Sequence, residues 1–234
     1  VRFKHSGGRG DIVYALPAIR ELGGGVLCLD VAGNSHASCP LQDSDIPLFS
    51  ELLSGQSYIE SVEPWDGRPV DVDLDGFRLK LGRDRHLACS HLLAVGREAD
   101  LRHPWLESSV FELHCIADVI VNRTSRFHGF LNWRELKPWE EKMAFVGTED
   151  EHHEFTSETG LGVERAHTPT LKSVAEAILG SRLFIGNQSF PFALAEAFKH
   201  PRVLEIFPNA PNCMPSGANA YAKLSPALLG ELLS

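Results

Sequence analysis

VRFKHSGGRGDIVYALPAIRELGGGVLCLDV, Val1–Val31, decides the fold class. Val1–His5 reads as a strand, the glycine-rich run after it as a loop, and the apolar periodicity from about Ile12 to Leu22 as a helix. Gly23, Gly24 and Gly25 stop that helix, and Val26–Val31 forms a second strand. Strand, loop, helix and strand in this order make a βαβ unit, which requires a parallel sheet. Pro17 conflicts with the helix because proline removes an interior hydrogen bond, so a kink or a fresh helix start is expected there.

Downstream, Ile46–Leu53 reads as a helix and Tyr58–Val62 as a strand. Asp66–Asp84 is dense in Asp, Gly and Arg and reads as a surface loop with room for a short strand, while His86–Leu93 and Trp105–His114 have helical character. From Ala117 the alternation becomes regular. Strands Ala117–Asn122 and Lys142–Val146 precede a polar-faced helix, Glu149–Thr159, ended by Gly160. A short strand near Val163, helix Leu171–Leu179, strand Leu183–Ile185, helix Phe190–Phe198 and strand Val203–Phe207 follow. This alternation predicts an α/β fold of two doubly wound, Rossmann-like parallel-sheet halves, residues 1–115 and 116–213. The tail, 214–234, carries an amphipathic helix Pro226–Leu233 expected to pack back on the first half.

Hydrophobic residues make up 43% of the 234 and charged residues 23%, a globular composition with enough apolar surface for a real core. No apolar run approaches the ~20 residues that span a bilayer, and the opening residues do not read as a signal peptide, so a soluble, cytoplasmic protein is expected. Cys28, Cys39, Cys89, Cys115 and Cys213 are odd in number and scattered, which argues for ordinary thiols rather than a disulfide framework or zinc site. A formal charge of −9 disfavours general nucleic-acid binding but leaves room for a local basic pocket.

Four stretches carry candidate chemistry. In His5–Asp11, the small residues Ser6, Gly7, Gly8 and Gly10 let backbone approach a ligand, and the amides of the following helix start attract anions; Asp11 reads equally well as a helix cap. In VIVNRTSRFHG, Val119–Gly129, the hydroxyls of Thr124 and Ser125 and the guanidiniums of Arg123 and Arg126 end a strand, where open α/β sheets receive ligands; a solvated polar loop fits the same residues. In FVGTEDEH, Phe145–His152, Gly147 and Thr148 lead into acidic residues that suit a helix start. In Ser181–Cys213, Gly186 permits close approach, and Asn187, Gln188 and Ser189 present polar groups at a helix start where Asn187 or Ser189 also serves as cap and Pro191 as first-turn proline. His152–His153 lack metal-binding spacing, and Asp71, Asp73 and Asp75 lack the later Glu of a calcium loop, so the former read as surface residues and the latter as a strand or loop edge in solvent. No metal is expected.

HSGGRGDIVYALPAIREL, a small-residue loop followed by Gly-Asp, apolar residues and Leu-Pro, resembles the opening of the heptosyltransferase-like glycosyltransferases of family 9, which have the GT-B fold. The Gly-Asn-x-Ser-x-Pro run of the fourth stretch is similar to the same family. The resemblance implies that Asp11 lies at an interdomain cleft and acts as catalytic base. It puts Thr124, Ser125, Arg123, Arg126 and Gly186–Ser189 on the diphosphate of a nucleotide-sugar donor, and Gly147, Thr148 and Glu149 beside the nucleotide. Arg126 or His128 stands where members often carry Lys, and Gln188 where many have Asp. The resemblance is thin over 32–113, where the family binds its acceptor.

The implied reaction is a metal-independent single displacement with inversion, from a nucleotide sugar to a glycan or other hydroxyl acceptor, with no cofactor. A glycosyltransferase acting on modified phage nucleic acid, a sugar-nucleotide epimerase, or a non-catalytic nucleotide- or glycan-binding protein of the same build are the alternatives. Acidic charge weighs against the first, and the Gly10–Asp11 pair against the last.

Overall fold

The computed structural model describes residues 1–33, 40–221 and 226–233; Cys39 lies outside them. The first half is a parallel sheet of β1 (Arg2–His5), β2 (Gly25–Leu29), β3 (Ile59–Pro64) and β4 (Val72–Asp73), ordered β3-β2-β1-β4. Helices α1 (Arg9–Glu21), α2 (Asp45–Leu53) and α3 (Leu87–Ala94) accompany it. The second half is a parallel sheet of β5 (Val119–Asn122), β6 (Met143–Phe145), β7 (Glu164–Arg165), β8 (Leu183–Asn187), β9 (Arg202–Glu205) and β10 (Ala220–Tyr221), ordered β10-β9-β8-β5-β6-β7. Its helices are α4 (Glu149–Thr159), α5 (Leu171–Gly180), α6 (Phe190–Phe198) and α7 (Pro226–Leu233). β5 and β8 are buried along their whole length, as strands covered on both faces must be.

Helix α1 continues through Pro17, so no new helix starts at the proline. A proline at this position leaves the carbonyl four residues earlier, that of Val13, without its intrahelical donor. The indole of Trp105 replaces it, with Nε1 donating to the Val13 carbonyl at 3.1 Å. The same tryptophan explains why Trp105–His114 is no helix apart from a 3-10 turn at Ser108–Val110. The amides of Trp105 and Leu106 donate to the Ala197 carbonyl of α6, and that of Glu107 to the Gln56 side chain, so none can enter a local ladder. The segment pins the two halves together instead.

One apolar core runs through both halves, from Phe3 and Leu27 past Ile12, Leu16 and Ile19 of α1 to Phe192 and Leu194 of α6, Ile120 and Phe184. A second cluster lies on the other face of the second sheet, formed by Val119, Val121, Trp133, Phe145, Phe155 and Val203. The tail helix belongs there: Leu229 and Leu232 pack on this cluster. It covers a sheet face that would otherwise be wet, and does not return to the first half as expected.

Two smaller expectations also change. Asp75 is no solvated loop residue, because it follows β4 into a 3-10 helix, Leu74–Lys80, and turns its carboxylate inward. His152 is half-buried, with Nε2 bonded to the Val163 carbonyl at 2.7 Å, while His153 is exposed.

Candidate active-site cleft

Each sheet reverses its strand order once, between β1 and β4 and between β5 and β8. Open α/β sheets bind ligands at such switch points, outside the carboxyl ends of the strands. The loops above both switch points line a single cleft of about 820 Å³. Its wall includes the starts of four helices: Gly8–Asp11 of α1, Gly147 and Thr148 before α4, Thr168–Leu171 before and into α5, and Gln188–Pro191 before and into α6. Unpaired amides and the helix dipole make each start attractive to an anion. Arg9, Arg78 and Arg126 add cations to the lining of a protein that is acidic overall.

Asp11 is the third residue of α1 and lines the cleft. Its Oδ2 accepts from the Gly8 amide at 2.9 Å, so it caps the helix while facing the cavity. Burial holds the carboxyl above its ordinary range, against the lowering effect of the Gly8 amide, Arg78 and Arg126.

The amides of Ser6, Gly7 and Gly8 are bonded within the protein, which leaves the anion attraction expected of this stretch to the start of α1. Ser6 N–H and hydroxyl donate to Asp75 at 2.9 and 2.8 Å, Gly7 N–H donates to His5 Nδ1 at 2.8 Å, and Gly8 N–H goes to Asp11. Ser6 and Gly7 are therefore buried supports of Asp11 rather than cleft-lining groups. Gly7 is required there: a Cβ would lie 2.4 Å from His5 Cε1 and 2.7 Å from Asp11 Cβ.

His5 belongs to a chain of bonds whose tautomers follow from its ends. His91 Nδ1 lies 3.0 Å from the Leu87 carbonyl and must donate to it, leaving His91 Nε2 as acceptor. His5 Nδ1 accepts from Gly7, so His5 Nε2 carries the proton and donates to His91 Nε2 at 3.0 Å. Both rings are neutral in this arrangement, and burial holds His5 down to about 4 and His91 well below its ordinary value. Phe77 stacks on His91 with centroids 4.1 Å apart.

Across the cleft, the side chains of Asn187 and Gln188 are bonded within the protein. The buried Asn187 amide accepts from Thr124 N–H at 3.1 Å and donates to Thr124 Oγ1 at 2.9 Å, tying the end of β8 to the loop after β5. Gln188 donates to the Ala210 carbonyl and Asn212 Oδ1 and accepts from Phe207 N–H. Its side chain is thus spent on the loop after β9, although it still edges the cleft. Ser189 is the cap of α6 and donates to Asn122 Oδ1 at 2.7 Å.

Of the remaining candidates, Thr124, Arg126, Gly147, Thr148 and Gly10 line the cleft. Arg123 does not: it pairs with Glu205 at 2.9 Å and with Glu158, in a separate cavity of about 290 Å³. Ser125 and Glu149 are exposed and outside the lining, and Gly186 is buried within β8. Glu151, two residues after Glu149, faces the cleft and also closes the cap of α4 by accepting from Thr148 N–H at 2.9 Å.

No family model matches the chain, and no curated protein matches it. Solved structures do. The heptosyltransferase WaaC of E. coli with ADP superposes at a TM-score of 0.61, with 13% identity over 99% of this chain and 98% of that one. The same enzyme with ADP-2-deoxy-2-fluoro heptose gives 0.57, with 14% identity over 87% of each chain. A family 9 glycosyl transferase from Veillonella parvula gives 0.58, with 11% identity over 90% of this chain and 83% of that one. The fold is that of the heptosyltransferases.

On this heptosyltransferase fold, sequence reasoning missed three contributors to the cleft. Arg78 arrives because β4 crosses to the far side of β1, a pairing no local signal announces. Thr168–Leu171 was visible as a Thr-x-x-Ser cap, with Thr170 accepting from Ser173 N–H at 3.1 Å. Tyr14 stands out as a buried tyrosine three residues after Asp11 on an otherwise aliphatic helix face. Among the described residues, no set of three or more His, Cys, Asp or Glu could hold a metal ion, and no helix is long and apolar enough to cross a membrane.

Proposed function

We propose that the chain is a metal-independent, inverting glycosyltransferase that moves a sugar from a nucleoside diphosphate to a hydroxyl acceptor. One observation carries the reading: a half-buried carboxylate from the first half meets, in one cleft, the starts of α4, α5 and α6 from the second. The heptosyltransferase fold supports it.

In this reaction the acceptor oxygen bonds to the anomeric carbon as the carbon–oxygen bond to the diphosphate breaks, and the leaving group departs with the electron pair. The acceptor proton passes to Asp11. A carboxyl raised by burial suits that task, because a base works best with its pKa drawn toward the operating pH. The diphosphate gains charge as it leaves, and preorganised donors stabilise it without reorganising. Those donors are the amides of Gln188, Ser189 and Phe190 leading into α6, with the Arg126 guanidinium. Each helix start adds about 0.3–1 kcal/mol toward a nearby anion. Asn187 and Gln188 hold the loops that present these groups.

The WaaC structures contain ADP and an ADP-linked fluoroheptose, so ADP-heptose and ADP-glucose head the test panel, followed by UDP-glucose and GDP-mannose. After exhaustive EDTA treatment, release of nucleoside diphosphate from one of them is expected, slowly by hydrolysis and faster with a hydroxyl acceptor. Absence of release from every member, or activity restored only by Mg²⁺ or Mn²⁺, contradicts the proposal.

A further inference from the structure

The floor of the cleft behind Asp11 contains polar groups that the mechanism above does not use. Tyr14 lies three residues after Asp11 on α1, a spacing that shares a helix face, and helical side chains lean back over the preceding turn. Its ring is buried and lines the cleft. Apart from the thiol of Cys213 beside it, the hydroxyl has no hydrogen-bond partner. His86 stands edge-on to the ring with centroids 5.2 Å apart. His86 Nδ1 accepts from the Ala88 amide at 3.2 Å, so Nε2 carries the proton of the neutral ring, and this N–H is buried without a partner.

Buried polar groups in folded proteins are nearly all paired. Among the described residues, the other buried side-chain atoms without a partner belong to Arg2, whose guanidinium faces Glu63 and Asp66. Of the two neighbouring orphans, Tyr14 lines the cleft together with Cys213 and His86 does not, so the Tyr14 hydroxyl is the one that a polar ligand in the cleft would complete. The fold also says which part of the ligand reaches it. α1 meets α6 at Gly10, where an added Cβ would lie 3.9 Å from Phe190 Cα. A diphosphate at the start of α6 would therefore lie beside this stretch of α1, with its sugar within reach of Asp11 and Tyr14.

Resting on the donor site proposed above, we infer that Tyr14 is a specificity-determining residue whose hydroxyl bonds a hydroxyl of the transferred sugar, with Cys213 as its second partner. A site built to pair with a hydroxyl rejects the analogue that lacks it, because its own polar group is then left unsatisfied. One neutral bond of this kind discriminates about 10- to 100-fold.

Tyr14→Phe removes the hydroxyl and keeps the ring. Calorimetry of wild type and variant would use ADP, UDP and GDP, the four nucleotide sugars of the panel, and the monodeoxy analogues of the tightest-binding sugar. In wild type, one monodeoxy donor binds about tenfold or more weakly than its parent. Tyr14→Phe loses the same factor on the parent, loses nothing further on that analogue, and binds the nucleoside diphosphate as wild type does. A variant that discriminates among the analogues as wild type does, or that loses the diphosphate and the sugars alike, overturns the role of Tyr14 while leaving the donor site standing. A wild-type protein that binds no diphosphate removes the donor site and this inference together.

Discussion

The two switch points of the molecule are furnished in opposite ways. Above β1 and β4 it is the backbone that is consumed: the amides of Ser6, Gly7 and Gly8 go to Asp75, His5 and Asp11. Above β5 and β8 it is the side chains, with Asn187 holding Thr124 and Gln188 holding the loop after β9. There, as at the start of α1, the first amides of the helix have no intrahelical acceptor. A glycine-rich turn is therefore no sign of an anion site by itself. Here it is a mount for one carboxylate, and the proposed anion site lies where polar side chains keep the loops in place.

The comparison is broken most severely by removing the carboxylate. Asp11→Asn keeps an acceptor for the Gly8 amide, so the fold and nucleotide affinity are expected to survive while transfer falls about 10²–10⁴-fold. The sign of its titration agrees: a carboxyl raised by burial is destabilising once ionised, so the neutral amide leaves the melting temperature at pH 7 unchanged or higher. Normal turnover with a lowered melting temperature would make Asp11 a cap and nothing more.

A smaller effect separates two glycines of the same loop. Gly7→Ala drives a Cβ into His5 and Asp11, and overpacking of this kind costs about 1–3 kcal/mol. Melting several degrees lower and at least tenfold slower transfer are expected. Gly10→Ala meets nothing closer than 3.9 Å inside α1, where alanine is favoured over glycine by up to about 1 kcal/mol. Thermal melts of the two variants should move in opposite directions; equal losses would mean that the mount does not end at Gly8.

The smallest effect tests the mount's supports. Burial keeps His5 at about 4 in the folded chain, against 6.5 for the free side chain, and holds His91 well below its ordinary value. The unfolded chain therefore binds more protons across that window, so the stability these residues contribute is complete above about 6.5 and is lost as pH falls toward 4. Burial also holds His86 and His200 at about 4, and they share the slope. His91→Gln should make melting temperature less steep in pH between 4 and 6.5 without flattening it, and an unchanged slope would refute the neutral histidine chain.

Most of the fold was legible because its signals are local. The βαβ opening, the Gly160 stop and the periodic helices Glu149–Thr159 and Phe190–Phe198 need only neighbouring residues, and the last two appear with the expected limits. The misreadings came from partners distant in sequence. Pro17 is tolerated because Trp105 supplies the missing donor, and Trp105–His114 stays irregular because its amides are taken by α6 and Gln56. The cleft was legible in the same proportion. Thr124, Thr148, Ser189 and Asp11 line it at strand ends and helix starts, as position along the chain suggested. Arg123 was indistinguishable from Arg126 in sequence, yet the ion pairs with Glu158 and Glu205 turn it to another cavity.

The central claim is that the diphosphate belongs to the second switch point and faces Asp11 across the cleft. A crystal structure with the tightest-binding nucleoside diphosphate tests it most directly. The account predicts phosphate oxygens within hydrogen-bond distance of the amides of residues 188–190, with Asp11 on the opposite wall and the Ser6–Gly8 amides still bound to Asp75, His5 and Asp11. A diphosphate seated on Ser6–Gly8, with those internal bonds broken and residues 186–189 remote from it, would contradict the account.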